Sequence, residues 1–549
     1  MTVEDFESLL SEDFGNYEQN EISGDILQKI DAILCKYKSD ITDEVFVIYK
    51  KFLPMKQEAP ENMKLELFGV IKSYIKERIE KFAYADALLL ARFLIIKSGI
   101  QPILYSEIAE ILVKLEERDL ALDFIKIYEV LEKNRPLCIL TVANFYNIFL
   151  HEYKTAIKYY EKYLRIDETK SVVYTIVGSL YAKVYGDFSL KEQICYYEKA
   201  YKLNPKSRVI LLSLALACEK FQDINKADKY YSELLQNNPS ESDYYNYGAF
   251  LISCGNFELG HKYLTHRFNI KNNPNLVYPI APSVAKRWDL KSDISGKTLL
   301  VYYEQGFGDT IMYSRYLPEL NKLASHIIFV VQDKLFDLIK NSEIFDGIEI
   351  LSDSVDISAV DYDFDMALLD VPCVVGAAAD KIPYTCGYID VPTDRINDYR
   401  RQYITKTNKL KVGIAYNGDK NSNYDSRDVD FTCFKVLSNL KNIELYSFNM
   451  EDEHYESIKN LGYTFNDFTD TACALKCMDI VISTDNVILN LAGALGVKTY
   501  GLFSEQPNFR WFKLKGDNVG WYKSVLPIRA KNNGTLTDIF DKLYTLLST

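Results

Sequence analysis

The chain has 549 residues, of which 48% are hydrophobic and 26% charged, and its formal net charge is −13 at pH 7. A chain of this length exceeds what one hydrophobic core organises, so the sequence predicts a multidomain protein. The negative charge argues against broad, unspecific nucleic-acid binding, and no nucleic-acid partner is expected.

The start of the chain, MTVEDFESLLSEDF, is acidic and has neither the basic region nor the cleavage site of a signal peptide. The most apolar short run, 87–100, contains Arg92 and Lys97 and is too short to span a bilayer, so no transmembrane segment is expected. The ten cysteines are scattered without CxxC spacing, which favours reduced, buried thiols and no metal site. We therefore expect a cytoplasmic protein.

The N-terminal half carries helical periodicity with almost no strand signal. Within it, paired tyrosines begin at Tyr159, Tyr196 and Tyr230, so that successive pairs are 37 and 34 residues apart. Pro205 and Pro239 are also 34 residues apart. Small residues at fixed positions let two helices approach, aromatic residues fill the space between them, and a proline ends the second helix. This is the pattern of a tetratricopeptide repeat.

On this pattern, residues 101–270 are predicted to be tetratricopeptide repeats. Residues 1–100 are predicted to form a helical N-terminal region, and either degenerate repeats or a separate cap would fit their sequence. Most of the tyrosines are expected to be core aromatics. The concave face of such a stack is expected to hold a protein or peptide partner.

Apolar strand-like runs alternate with helical segments in the C-terminal half, which predicts two Rossmann-like α/β domains, 271–400 and 401–549, facing across a cleft. Ligands of such sheets bind beyond the carboxyl ends of the strands. The predicted strands are 298–304, 326–332, 347–351 and 364–370 in the first domain, and 409–417, 443–448, 479–484 and 497–503 in the second.

The first predicted strand ends in the sequence EQGFGDT, which indicates a glycine turn followed by a helix that starts at Asp309. The unpaired amides of a helix start bind anions, and glycines let the backbone approach a ligand closely. Asp309 is either a helix cap or a base directed into the pocket. The predicted pocket on this side is formed by Gln305, Gly306, Gly308 and Thr310.

The second domain has its own candidate site at Ser483, Thr484 and Asp485, where a strand ends and a helix begins, with Asn486 and Asn490 following on one helical face. The alternative is a well-capped core helix, because Ser, Thr and Asp are ordinary N-caps.

Two further clusters follow strands of the second domain. A polar loop begins at Asn417, and its Arg427 would either meet a phosphate or form a surface ion pair with the aspartates beside it. Arg510 beside Trp511, in the sequence NFRWF, is either a positioning group or a packing corner.

The segment SGKTLLVYYEQGFGDTIMYSRYLPEL resembles the signature of bacterial proteins that join tetratricopeptide repeats to a glycosyltransferase domain of the ADP-heptose heptosyltransferase type. TDTACALKCMDIVISTDNVILNLAGALG and NFRWF…GWYKSVLPIR resemble the second domain of that family, and the resemblance covers about 257–530. It implies a GT-B fold of two Rossmann-like domains, with the donor in the C-terminal one and no required metal or cofactor. Some such proteins glycosylate proteins such as flagellin, with the repeats holding the acceptor.

The resemblance also implies roles for individual residues. Asp309 would be the general base on the acceptor hydroxyl, Asp485 would belong to the donor-binding segment, and Arg427 would neutralise a phosphate. Two positions depart from the family pattern, because Asn486 and Asn490 stand where the family has Thr and His. Asparagine can donate a hydrogen bond but lacks the charge of a protonated histidine.

Together these features predict an inverting, metal-independent glycosyltransferase that moves a sugar from a nucleotide-sugar donor to a protein acceptor held by the repeats. Flagellin or another bacterial surface protein is the candidate acceptor. The alternative is a protein-binding scaffold whose glycosyltransferase domain is catalytically degenerate. A NAD-linked oxidoreductase is disfavoured because GFGDTI lacks the third glycine of the dinucleotide fingerprint. The expected donor-binding residues are Asn417, Arg427, Ser483, Thr484, Asp485, Asn486 and Asn490.

Overall fold

A computed structural model describes residues 21–52, 61–98, 101–271, 273, 286–417, 429–450, 457–504, 507–512, 520–529 and 539–548. The chain divides into two compact units, Met1–Ile210 and Leu211–Thr549. The division falls within the helical half rather than near residue 270, where the sequence changes character. The four predicted domain ranges stay predictions.

The first unit is helical throughout its described residues. Helix α4 is buried along most of its length, which explains its apolar run: Arg92 on this helix is fully buried and pairs with Asp31 of α1. The helices are α1 (Glu21–Lys36), α2 (Asp43–Phe52), α3 (Glu61–Glu80), α4 (Tyr84–Ser98), α5 (Pro102–Lys114), α6 (Arg118–Leu131), α7 (Pro136–Asn144), α8 (Tyr153–Leu164), α9 (Ser171–Tyr185) and α10 (Leu190–Leu203).

Consecutive helices pack in pairs, α5 with α6, α7 with α8 and α9 with α10. A small residue facing an aromatic ring sets the approach of α9 and α10, since a Cβ added at Gly178 would lie 2.5 Å from the ring of Tyr197. The second tyrosine of each pair, Tyr160, Tyr197 and Tyr231, is buried, which confirms the core interpretation for these three. The region is therefore helical and tetratricopeptide-like, as predicted.

The second unit begins at Leu211, inside the helix Arg208–Lys220, and contains further helices followed by an α/β region. Its longer helices are α11 (Arg208–Lys220), α12 (Ile224–Leu235), α13 (Glu241–Ser253), α14 (Phe257–Leu264), α15 (Phe307–Ser314), α17 (Asp333–Lys340), α19 (Thr393–Tyr403), α20 (Phe468–Lys476), α21 (Val487–Ala494) and α22 (Phe540–Ser548), with the short α16 (Leu317–Leu320) and α18 (Val371–Val374).

Two parallel sheets form the α/β region, as the apolar strands predicted. The four-stranded sheet has the order β3-β2-β1-β4, and the six-stranded sheet has the order β10-β9-β8-β5-β6-β7. The strands are β1 (Thr298–Tyr302), β2 (His326–Val331), β3 (Glu349–Ser352), β4 (Phe364–Ala367), β5 (Leu410–Ala415), β6 (Ile443–Ser447), β7 (Ile458–Asn460), β8 (Ile480–Thr484), β9 (Thr499–Phe503) and β10 (Val525–Arg529).

Three details differ from the sequence prediction. Strand β4 ends at Ala367, and Leu368–Asp370 form a 3-10 turn that directs Asp370 toward Arg267. The predicted boundary between the two α/β domains, at 400/401, falls inside α19, which packs against α20. The prediction that the cysteine thiols are buried was wrong for four of them, because Cys35, Cys195, Cys254 and Cys386 are exposed.

The apolar run at 87–100, excluded above as a membrane segment, lies within the helical core as far as it is described. Across the described ranges, no helix is both long enough and apolar enough to cross a bilayer.

Candidate active site

The turn after β1 carries the predicted base. Gln305 has a left-handed backbone with φ of 71°, which is uncommon for a residue with a side chain and marks a constrained turn. Helix α15 begins at Phe307 with Gly306 as its N-cap, so it starts two residues earlier than predicted. Asp309 therefore lies inside the first helical turn and is not the cap.

A buried ionic network fixes the residue that precedes this turn. Both oxygens of Glu304 accept hydrogen bonds from Arg267, at 2.7 and 2.6 Å, and Asp370 accepts another at 2.6 Å. All three side chains are at most 2% exposed. Burial alone would lower the pKa of Arg267, but the charges of Asp370 and Glu304 outweigh it, and that pKa is raised. Arg287 also contacts Asp370, at 3.3 Å.

The donor-side segment is organised by an asparagine cap. The side-chain oxygen of Asn486 accepts from the amides of Ile488 and Leu489, at 2.9 and 3.3 Å, and its amide donates to the carbonyl of Asn417 at 3.2 Å. The cap of α21 is thus Asn486 rather than Ser483, Thr484 or Asp485. Two of the helix-start amides expected to meet a phosphate are already bonded.

Four of the residues predicted to bind ligands are buried in the fold. Ser483 and Thr484 are at most 1% exposed, and Asn490 is 5% exposed. On the other side, Thr310 is fully buried and donates to Gln332 at 2.9 Å. These four side chains pack on the core side of the two turns, because strand ends and the inward faces of helices face the core.

The two turns meet at the packed helices α15 and α21. A Cβ added at Gly308 would lie 2.9 Å from the side-chain nitrogen of Asn490, so only glycine permits this approach without a shift. Asn490 donates to the carbonyl of Asn486 at 3.2 Å and accepts from the hydroxyl of Tyr522 at 3.0 Å. In contrast, Gly306 has open space and an ordinary φ, so the turn does not require glycine there.

Gly493→Ala is expected to lower the free energy of unfolding by about 1–3 kcal/mol, the usual effect of overpacking. Its Cβ would lie 2.4 Å from the ring of Tyr522, which is fully buried and cannot move without releasing Asn490. Urea unfolding measures the change. The matched control is Gly69→Ala, inside α3 with nothing within 4 Å, which should stabilise by roughly 0.5–1 kcal/mol. Equal effects at both positions would contradict the packing argument.

Asp309 forms an ion pair with Arg510, with 2.5 Å between the carboxylate oxygen and Nε, and the two side chains are 17% and 16% exposed. Burial alone would lower the pKa of Arg510, but the negative charge of Asp309 outweighs it, so the pKa is raised. The guanidinium Nη1 also donates to Asn508 at 3.1 Å. The carboxylate from the first sheet thus contacts a cation that follows the second sheet.

The next residue binds the other predicted acid. The indole nitrogen of Trp511 donates to Asp485 at 2.7 Å, and the indole nitrogen of Trp521 donates to the carbonyl of Arg510 at 2.6 Å. Adjacent residues therefore hold Asp309 and Asp485. We call residues 507–512 the bridging segment.

A histidine lies beneath this site without polar partners in the described part of the chain. His261 on α14 is 1% exposed, neither ring nitrogen has a hydrogen-bond partner there, and its ring meets the edge or face of Phe257 and Tyr313. Burial, with the charge of Arg267 adding to it, lowers its pKa to about 3. The imidazole is neutral at physiological pH.

This burial predicts a pH dependence of stability. The folded-state pKa of His261 lies below that of the unfolded chain, so the unfolded state takes up the proton first and stability falls as pH drops below about 6.5. Between pH 7 and pH 5 the loss should be about 2 kcal/mol. The urea midpoint of His261→Phe should change less over this range. His151 is exposed, so His151→Asn should show the same pH dependence as wild type. If His261→Phe also shows the wild-type pH dependence, His261 is not its source.

The structure therefore brings most of the predicted site residues into one place, at the junction of α15 and α21. Arg427 lies outside the described residues. Sequence reasoning missed the partners: Arg510 and Trp511 were noted as a positioning group or a packing corner without their contacts to Asp309 and Asp485, and Tyr522 was not selected. The aromatic cluster NFRWF was the available signal. In the described ranges, no group of three or more His, Cys, Asp or Glu is placed to hold a metal ion.

The described residues thus combine a helical, tetratricopeptide-like region with an α/β region of two parallel sheets whose turns meet at one site. No family model matches the chain. Among curated proteins it is similar to Protein FlbA of Caulobacter vibrioides, with 22% identity over 292 residues. The match covers 48% of this chain and 48% of FlbA, so the chain spans about half the length of this relative.

Three solved structures show local likeness. Glycosyl transferase family 9 from Veillonella parvula is 12% identical, over 47% of this chain and 99% of that chain, with a TM-score of 0.35. The C-terminal part of a TPR repeat-containing protein from Cytophaga hutchinsonii is 17% identical, over 46% and 87%, with a TM-score of 0.31. Pseudomonas aeruginosa pilF is 13% identical, over 38% and 94%, also with a TM-score of 0.31. Scores this low do not establish a shared fold.

Proposed function

We propose that the chain is an inverting glycosyltransferase that moves a sugar from a nucleotide-sugar donor to a protein acceptor bound by the helical repeats. The observation that carries the proposal is the contact of Asp309, in the first turn after β1, with Arg510 beside the donor-side turn. A carboxylate on one side and a cation on the other are what sugar transfer needs, because a proton must leave the acceptor while negative charge develops on the leaving group.

In this reaction Asp309 accepts the proton of the acceptor hydroxyl. The acceptor oxygen forms a bond to the anomeric carbon, while the bond from that carbon to the phosphate oxygen breaks. The electron pair leaves with the nucleoside diphosphate, and the configuration at carbon inverts. The positive N-terminal end of α21 and the guanidinium of Arg510 would stabilise the departing charge. No step requires a metal in this scheme.

A second candidate is a protein-binding scaffold with a degenerate transferase domain. It is favoured by Asn486 and Asn490, which stand where the resembled family has Thr and His and are both engaged in the fold. Nucleotide binding separates the two candidates. A saturating ligand stabilises the folded state, so a shift of the melting temperature with UDP, ADP, GDP or CMP supports a working donor site. A flat response to all four nucleotides supports the scaffold.

A further inference from the structure

The guanidinium of Arg510 contacts two neighbouring side chains, but some of its N–H groups do not donate a hydrogen bond within the described residues. Its Nη1 donates to Asn508, and its Nε lies 2.5 Å from a carboxylate oxygen of Asp309. Within the described part of the chain, Nη2 has no hydrogen-bond partner. The cation is thus paired by charge with Asp309, while the planar fork of donors that suits a phosphate is largely unused.

The other buried arginines near the site are not available in this way. Arg267 donates hydrogen bonds to Glu304, to Asp370 and to the backbone carbonyl of Leu264. Arg315 donates to the carbonyls of Met312 and Trp521 and to the hydroxyl of Tyr388. Of these three arginines, Arg510 is therefore the one with donors left for a new anionic partner.

The ion pair also restrains the proposed base. A carboxylate in contact with a guanidinium is stabilised in its ionised form, so it accepts the proton of a hydroxyl poorly. For Asp309 to act on an acceptor, Arg510 has to turn away from it. A doubly charged phosphate group offers the guanidinium a stronger, bidentate partner than a single carboxylate.

We propose that Arg510 binds the diphosphate of the donor and exchanges Asp309 for it, so that donor binding releases the base. This inference rests on the proposed function and names both the ligand group and the order of events. Before the donor arrives, the Asp309–Arg510 ion pair keeps the site inactive. Trp511 holds Asp485 on the donor side, which keeps the bridging segment in place while the arginine side chain changes partner.

Isothermal titration of the full chain with UDP, ADP, GDP and inorganic pyrophosphate tests the exchange. Arg510→Met should weaken the best-bound probe by about tenfold or more, the effect of one charged hydrogen bond. Asp309→Asn should instead tighten that probe by about threefold or more, because the competing carboxylate is gone. The matched controls are Arg395→Met and Asp470→Asn, from an Arg–Asp pair elsewhere in the same unit, and both should bind like wild type.

The outcomes separate the inference from the function it rests on. If wild type binds a probe and Asp309→Asn binds it equally or more weakly, the exchange is wrong while a donor site remains. Unchanged affinity in Arg510→Met overturns the phosphate assignment in the same way. If no probe binds wild type, both the inference and the donor half of the proposed function fail. Tighter binding by Asp309→Asn is the most specific evidence for the exchange, because a loss of folded structure can only weaken binding.

Discussion

Asp309→Asn is expected to reduce sugar transfer by about 10²- to 10⁴-fold, the usual contribution of a positioned general base. Asparagine keeps the size of the side chain but cannot accept the hydroxyl proton. It also breaks the ion pair with Arg510, so donor binding should not fall with activity. The measurement is the initial transfer rate at saturating donor and acceptor, alongside the melting temperature.

The control for this substitution is Asp470→Asn. Asp470 also lies in the first turn of a helix, α20, and also pairs with an arginine, Arg395, at 3.3 Å. It lies outside the site, so its replacement should leave the transfer rate near that of wild type. Full activity in Asp309→Asn, with the true donor and acceptor, would remove Asp309 from the role of base.

Arg267→Met is expected to destabilise the protein by about 3–5 kcal/mol, because it leaves buried charges without their partner. Glu304 is fully buried and has both its oxygens on Arg267, while Asp370 keeps only the longer contact with Arg287. Urea unfolding gives the change in free energy. Since Glu304 directly precedes the turn that carries Asp309, transfer activity should fall as well.

Two comparisons make this prediction specific. Arg395→Met removes an arginine of the same kind from a pair in which the arginine is 46% exposed, and exposed pairs contribute only about 0–1 kcal/mol. Adding Glu304→Gln and Asp370→Asn to Arg267→Met should recover part of the loss, because no buried charge is then uncompensated. An effect of Arg267→Met as small as that of Arg395→Met would show that the network is not needed for stability.

The strands show how far the sequence predicts this fold. Apolar runs identified eight strands in the described residues and the parallel arrangement, because buried strands read as continuous hydrophobic segments. The two strands that were missed, β7 and β10, lie at opposite edges of the six-stranded sheet. Strand β7 has three residues, and β10 contains Pro527, which weakens a strand signal and is tolerated at an edge.

The site was harder to predict because its decisive contacts join distant residues. Local spacing singled out Asp309 and the segment around Asp485, since each follows a strand. It could not show that Arg510 contacts Asp309, because the two are far apart in sequence and belong to turns of different sheets. The network of Arg267 was hidden for the same reason. The burial of Thr310 could not be predicted either, because helical position alone does not show which side faces the core.

In the proposed function, the chain transfers a sugar to a protein held by its repeats, and Asp309 is the base. The most direct test is to co-purify the wild-type chain and Asp309→Asn with their bound proteins from the source cells, and to measure the intact masses of those proteins. With the wild-type chain, a bound protein should carry a sugar-sized mass increment, and with Asp309→Asn that increment should be absent. A bound protein with the same mass in both cases would contradict it.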